Sequence, residues 1–159
     1  MTTKTNDTQV KFAARGTPKD IETSNLFCPK FDENGLIPCI VSENKTGITL
    51  MLAYMNADAL SLTIETGKAH FWSRSRGELW QKGAISGHTQ RIVEILTDCD
   101  QDAICLIVEQ KGAACHVGFH SCFYRSVTTG KIASSTSIPL VQKNMKKTFN
   151  PSEIYGDKT

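Results

Sequence analysis

Short apolar runs separated by polar turns recur through the middle of the chain, at lengths that suit strands. Leu36 to Val41 and Ile48 to Met55 are two such runs, and the turn Glu43-Asn44-Lys45-Thr46-Gly47 between them makes the pair a hairpin. The period then changes. Ala57, Leu60 and Ile64 recur at helical spacing, Asn56 stands where an N-cap is wanted, Asp58 falls in the first turn and Gly67 follows the last. The stretch Ala57 to Thr66 is therefore predicted to be a short helix with those three residues on one face. His70 to Arg74 and Leu79 to Lys82 flank Arg76-Gly77-Glu78, a second hairpin signal. Arg91 to Thr97 and Ala103 to Gln110 read as two further strands joined by an Asp-rich run. Gly112 to Ser121 reads as a glycine-containing loop, and Cys122 to Val127 as a returning strand. The prediction is an α+β fold, mostly antiparallel β: a small barrel-like sheet with one helix.

The ends lack this patterning. Residues 1–25 are polar and aperiodic and are expected to form a flexible arm. The domain proper is expected over 26–127. Residues 128–159, opening on the Ser/Thr/Lys-rich run Thr128 to Ser135, read as a tail with too few apolar residues for a second domain. A body of this size buries a core but not a deep one, so stability and site completion through a homodimer are expected. The net charge of +2 gives no general attraction to nucleic acid or membranes. No apolar run approaches the roughly 18–20 residues that span a bilayer. The first residues have no signal-peptide core, and Asp7 and the missing apolar face argue against a transit peptide, so a cytoplasmic location is expected.

The densest chemistry lies in Asp98-Cys99-Asp100-Gln101-Asp102, followed by Cys115-His116 and Cys122. Carboxylates at i, i+2 and i+4 share one face of an extended strand, and Cys99 between them faces the other way. Hard oxygens suit Mg²⁺ and a soft sulfur suits Zn²⁺. A polar turn and a buried structural thiol are the plainer readings. The spacing C-x15-C-x6-C matches no common zinc-finger pattern. Of the six cysteines, Cys39 and Cys105 lie in apolar runs and are expected in the core, while Cys28 before Pro29 has no assigned role. Cys99, Cys115 and Cys122 remain in polar or Gly-rich surroundings. In a reducing compartment such thiols are free or metal-bound.

Two further segments add candidates. Phe71 to Arg76 would place Trp72, Arg74 and Arg76 on one strand face. The stretch Trp80 to Gln90 combines an aromatic, Lys82, Gly83, Ser86 and Gly87. Cationic side chains beside glycine N–H groups suit phosphate oxygens, and tryptophan suits a flat heterocycle. A solvated sheet face for the arginines and core packing for the tryptophans are the alternatives.

Four ordered motifs together resemble the phosphoribosyl-AMP cyclohydrolase family of histidine biosynthesis, over roughly Phe31 to Arg125. They are Phe71-Trp72-Ser73-Arg74-Ser75-Arg76; Trp80-x-Lys82-Gly83-x-x-Ser86-Gly87-x-x-Gln90; Asp98-Cys99-Asp100-x-Asp102-Ala103; and Ala114-Cys115-His116-x-Gly118-x-x-Ser121-Cys122-Phe123. Ala84-Ile85 replaces the Glu-Thr common in the family, and the chain after Val127 is too short for the pyrophosphohydrolase fused to some members. The resemblance implies the stand-alone enzyme, which opens the N1–C6 bond of the adenine ring of 1-(5-phosphoribosyl)-AMP with a zinc-activated water. It further implies an intertwined homodimer in which Cys99 of one subunit joins Cys115 and Cys122 of the other on zinc. Asp98, Asp100 and Asp102 would hold Mg²⁺, and His116 would act as general base. Trp72, Arg74, Arg76, Trp80, Lys82, Gly83, Ser86 and Gly87 would bind the nucleotide.

The rival readings are a structural zinc-binding module, an RNA-binding sheet domain using Phe71, Trp72, Arg74 and Arg76, and a thiol redox protein. The missing Cys-x-x-Cys weighs against the last, and the near-neutral charge against RNA.

Overall fold

A computed structural model describes residues 10–130 and 137–156; expectations for the first nine residues, for 131–136 and for 157–159 lie outside it. The elements run α1 (Pro18–Thr23), β1 (Ile37–Glu43), β2 (Thr49–Met55), α2 (Ala57–Thr66), β3 (His70–Ser73), β4 (Glu78–Gln81), β5 (Gln90–Thr97), β6 (Ile104–Gln110), β7 (Arg125–Val127), β8 (Leu140–Gln142) and α3 (Pro151–Tyr155). Six strands form one curled sheet in the order β4-β3-β2-β1-β6-β5, so the α+β, mostly antiparallel expectation holds. The β1–β6 pair is parallel, with Ile40 opposite Cys105. The curl is drawn together at one end. Gly67 accepts from Ile92 N at 2.8 Å, Ala69 N donates to Gln90 at 3.1 Å, and Lys82 N donates to Ala69 at 2.9 Å. One short segment thereby bonds to both outer strands.

The concave face carries the core. Ile37, Cys39 and Val41 of β1 alternate inward with Leu50 and Met55 of β2 and with Ile104, Leu106 and Val108 of β6. On the opposite face, Leu52, Ile40, Cys105 and Leu96 stand in register across four adjacent strands. Leu52, Ile40 and Leu96 are each at least 40% exposed, a contiguous apolar row left open by the described residues.

Helix α2 begins and ends as predicted. Asn56 Oδ1 accepts from Ala59 N at 2.9 Å, and Gly67 takes the left-handed cap conformation at φ 65°. Its buried stripe differs from the predicted one: Ala59, Leu60, Ser61 and Thr63 face inward, while Ala57 and Ile64 are exposed. Counting apolar residues alone misses Thr63, whose hydroxyl is satisfied inside the fold by donating to Ala59 O at 2.8 Å and accepting from His70 N at 3.0 Å.

Two other predictions are corrected, the number of helices and the start of the strand after Cys122. There are three described helices rather than one. Capped α1 lies in the stretch expected to be a flexible arm, with Ile21 buried and Phe12 packed edge-on against Phe27 at 5.7 Å. The strand predicted from Cys122 begins only at Arg125, because Ser121 and Cys122 are stapled to the start of β2 instead of entering a ladder. Ser121 Oγ donates to Thr49 O, and Cys122 N donates to Leu50 O, both at 2.7 Å. β7 then pairs with β8 as a separate two-stranded sheet. No described helix is long and apolar enough to cross a membrane.

Candidate active site

Residues 114–122 form a tight loop after β6. Ala114 N donates to His120 O and Cys115 N to Phe119 O, both at 3.1 Å, and Gly118 N closes onto Cys115 O at 3.0 Å. This folding buries Cys115 and leaves the adjacent His116 exposed. His120 is half-buried, and its Nε2 lies 2.9 Å from Glu43 Oε1, which ties the loop to the end of β1.

Cys115 and Cys122 face each other closely enough to act on each other's ionisation. The Cys122 residue is exposed as a whole, yet its thiol is desolvated; burial first, and then Cys115, push it up to about 12. Lys82 is buried against the same pair. Burial lowers its ammonium below the ordinary lysine value, and the Cys122 and Cys115 sulfurs partly offset that. The lysine expected to hold phosphate thus lies within electrostatic reach of the thiols. Two sulfur donors brought face to face in a partly buried pocket wall are a donor set that fits a thiolate-binding metal, which displaces thiol protons as it binds.

Cys99 is not part of this pair. It is exposed on the connection between β5 and β6. Among the described residues, the one set of three or more His, Cys, Asp or Glu side chains whose ligand atoms gather within 4.8 Å is Asp98, Asp100 and Asp102. A turn, not strand alternation, brings these carboxylates together. Asp98 Oδ1 accepts from Asp102 N and Ala103 N, each at 3.0 Å, and Gln101 adopts φ 58°. Oxygen donors so crowded fit a hard cation. Partial burial first, then Asp100 and Asp98, raise the Asp102 carboxyl above its usual range, against the pull of Lys30 at 3.8 Å.

The expected nucleotide-binding residues are divided. Strand β3 ends at Ser73, so Arg74 and Arg76 lie in the turn after it and not on a strand face. The Arg74 guanidinium sits 3.9 Å above the Tyr54 ring, and Arg76 pairs with Glu78 at 2.5 Å. Trp80 packs on Phe71 at 5.1 Å, and Trp72 is half-buried opposite Leu79 and Tyr54. The loop Lys82 to Thr89 folds on itself, with Gly87 N donating to Gly83 O at 2.8 Å. At Gly83 a Cβ would lie 2.6 Å from the His88 backbone, so only glycine permits the closure. Ser86 Oγ accepts from His88 N at 3.3 Å.

Several supporting residues escaped sequence reasoning. Gln101 is buried within the aspartate turn: its Oε1 accepts from Cys28 N at 2.8 Å, and its carbonyl accepts from Lys30 N at 2.7 Å. Cys28 is itself buried, and Arg15 binds the same turn. The left-handed conformation of Gln101 shows only in the folded turn, and no sequence signal marked it.

Residues 51–124 match the model of the phosphoribosyl-AMP cyclohydrolase family. The chain is 51% identical to the phosphoribosyl-AMP cyclohydrolase of Methanothermobacter thermautotrophicus over 138 residues, 87% of this chain and 95% of that one. The enzyme of the same name from Nitrobacter hamburgensis is 48% identical over 139 residues, 87% of this chain and 92% of the relative. That of a Bradyrhizobium species is 51% identical over 129 residues, covering 81% and 97%. With identity of this order over more than four fifths of its length, the chain belongs to the phosphoribosyl-AMP cyclohydrolase family of hydrolases.

Proposed function

We propose that this protein hydrolyses the N1–C6 bond of the adenine ring of 1-(5-phosphoribosyl)-AMP, a step of L-histidine biosynthesis. Substitution at N1 leaves the ring cationic near neutral pH and makes C6 electrophilic. Water adds at C6, the C6–N1 bond breaks, N1 takes a proton, and the formimino-carboxamide ribonucleotide results. The observation that carries the reading is the placement of exposed His116 directly beside Cys115, which faces Cys122 and Lys82.

Cys115 and Cys122 would hold zinc with Cys99 of a second subunit, and Asp98, Asp100 and Asp102 would hold Mg²⁺. When bound, zinc supplies Lewis acidity of the kind that lowers the pKa of water from about 15.7 towards 7. His116 removes the proton from the attacking water; an imidazole is suited to that task near neutrality. Lys82 offsets the negative charge of the sulfurs. Arg74, Arg76 and the N–H groups around Gly83, Ser86 and Gly87 receive the phosphates, and Trp72 or Trp80 lines the purine.

Two features support the homodimer. Cys99 is exposed and apart from the thiols it would join. The row Leu52, Ile40, Cys105 and Leu96 is an apolar face of the kind a second copy covers. The RNA-binding reading has less support, since the net charge is only +2 and no broad basic run accompanies these arginines.

The direct test is to mix the zinc-loaded protein with phosphoribosyl-AMP and follow the ultraviolet absorbance. Ring opening changes the chromophore, so a protein-dependent change is expected. Absence of turnover in fully metallated, folded protein overturns the proposal.

A further inference from the structure

The C-terminal segment after β8 touches the two loops that carry the candidate chemistry. Thr148 places both its donors on one acceptor: its N–H lies 2.8 Å and its Oγ1 3.1 Å from the Gly118 carbonyl, two residues beyond His116. The next residue, Phe149, meets the His88 ring edge-on, with centroids 4.6 Å apart and planes at 72°. His88 belongs to the Lys82–Thr89 loop. One pair of adjacent residues therefore holds both loops.

The fit at this junction leaves no slack. A Cβ at Gly118, where φ is 103°, would stand 2.5 Å from the Phe149 carbonyl oxygen. A Cβ at Gly112 would stand 2.7 Å from the His88 ring. Two glycines thus make room for the contact, one on each side. The segment is anchored beyond it as well. Lys143 N donates to Tyr124 O at 2.8 Å, Tyr124 stacks on Phe119 at 4.0 Å, and the Lys147 ammonium lies 5.7 Å from the Phe119 ring. Phe119 is the partner that closes the turn carrying His116, through Cys115 N.

We propose that Thr148 and Phe149 are positioning residues, and that the segment from Lys143 to Tyr155 is a clamp fixing the His116 turn relative to the nucleotide loop. This rests on the reading of His116 as general base. The clamp acts through Gly118 on one side and His88 on the other, without touching the reacting atoms. A displacement of about 1 Å at a catalytic group costs up to about 10²-fold in rate, so a loosened turn should show mainly in kcat.

The experiment compares wild-type protein with Phe149→Ala and Phe149→Tyr in steady-state kinetics across pH, together with hydrogen exchange of residues 115–120. In Phe149→Ala, kcat is expected to fall roughly 10- to 100-fold, more than KM rises. The acidic limb of its profile should shift, and exchange in the turn should accelerate. Phe149→Tyr, which keeps the ring, should restore most of each. Should Phe149→Ala not fold, Phe149→Leu keeps apolar volume without the edge-on ring and is read by the same measurements. Wild-type kcat, pH profile and exchange in a folded Phe149 variant would overturn the clamp. Inactivity of the wild type would overturn the functional reading instead; accelerated exchange in the variant would still report the clamp.

Discussion

Arg15 reaches across 85 positions to donate from Nη2 to the Asp100 carbonyl at 2.7 Å, while its Nη1 donates to the Cys28 carbonyl at 2.5 Å. The guanidinium fork ties the N-terminal segment to the middle of the aspartate turn. With Gln101 held at φ 58° and bonded to Cys28 and Lys30, this contact fixes the Asp100 backbone within the turn. Removing the fork leaves two carbonyls short of a donor. Arg15→Ala should lower stability by about 1.5–3 kcal/mol in urea unfolding, the usual range for hydrogen bonds involving a charged group. It should also weaken Mn²⁺ binding, followed by electron paramagnetic resonance as a stand-in for Mg²⁺, several-fold at unchanged zinc content. Arg15→Lys cannot span both carbonyls as a planar fork and should recover only part. Unaltered Mn²⁺ affinity would limit Arg15 to a role in folding.

The separation of Cys99 from Cys115 and Cys122 has a consequence that subunit exchange can test. If zinc is held between subunits, Cys99→Ser and Cys115→Ser homodimers each lose every site. A mixed dimer contains one site built from the intact Cys99 of one chain and the intact Cys115 and Cys122 of the other. Mixing the two inactive proteins under exchange conditions should restore activity, to at most about one quarter of the wild-type level for statistical pairing, since half the dimers are mixed and each has one site of two. No recovery despite exchange verified by mass spectrometry would show that the site lies within one chain.

Strands and α2 were legible because their signals are local: apolar runs, an Asn cap and a C-terminal glycine. The aspartate and cysteine candidates were legible because few other residue types perform metal chemistry. What the sequence hid was long-range. Arg15, Gln101, Thr148 and Phe149 act through partners 30 to 85 positions away, and nothing in their neighbours announces it. Lys82 illustrates the same limit. Beside Gly83 it looks like a phosphate ligand, and only the folded position of the 114–122 loop brings the thiols within its electrostatic reach. The parallel β1–β6 pairing also follows from tertiary closure that no run of residues encodes.

Cys39 makes stability depend on alkaline pH. It is fully buried in the core, and burial first, with Cys105 second, raises its thiol far above the ordinary value of 9.0. Because the folded pKa is raised, the native state keeps this proton while the unfolded chain loses it. The contribution is complete below about pH 9 and is lost as pH rises above it, with a slope of up to about 1.4 kcal/mol per pH unit for one group. Cys39→Val removes the group at nearly constant volume. Between pH 9 and 10.5 its unfolding free energy should fall less steeply than that of the wild type, measured by urea titration. Identical slopes would mean that the Cys39 proton is not retained in the native state.

His116 stands exposed on a turn whose backbone bonds, Cys115 N to Phe119 O and Gly118 N to Cys115 O, do not involve its side chain. Its imidazole can therefore be removed without dismantling the turn. No described hydrogen bond or ion pair engages the ring, in contrast to His120, which is held by Glu43. An imidazole beside the proposed zinc ligand Cys115, without a hydrogen-bonded or ion-paired partner among the described residues, suits proton transfer. His116→Ala should lower kcat by about 10²–10⁴, the usual contribution of a positioned acid or base. Zinc content and thermal stability should remain close to wild type, and the acidic limb of the kcat/KM profile should disappear. His120→Ala should instead reduce stability, because it unties the loop from β1, with a smaller effect on kcat in the protein that stays folded. If His116→Ala kept its rate and pH profile while His120→Ala lost both, the base would have to be reassigned to the other histidine of the loop.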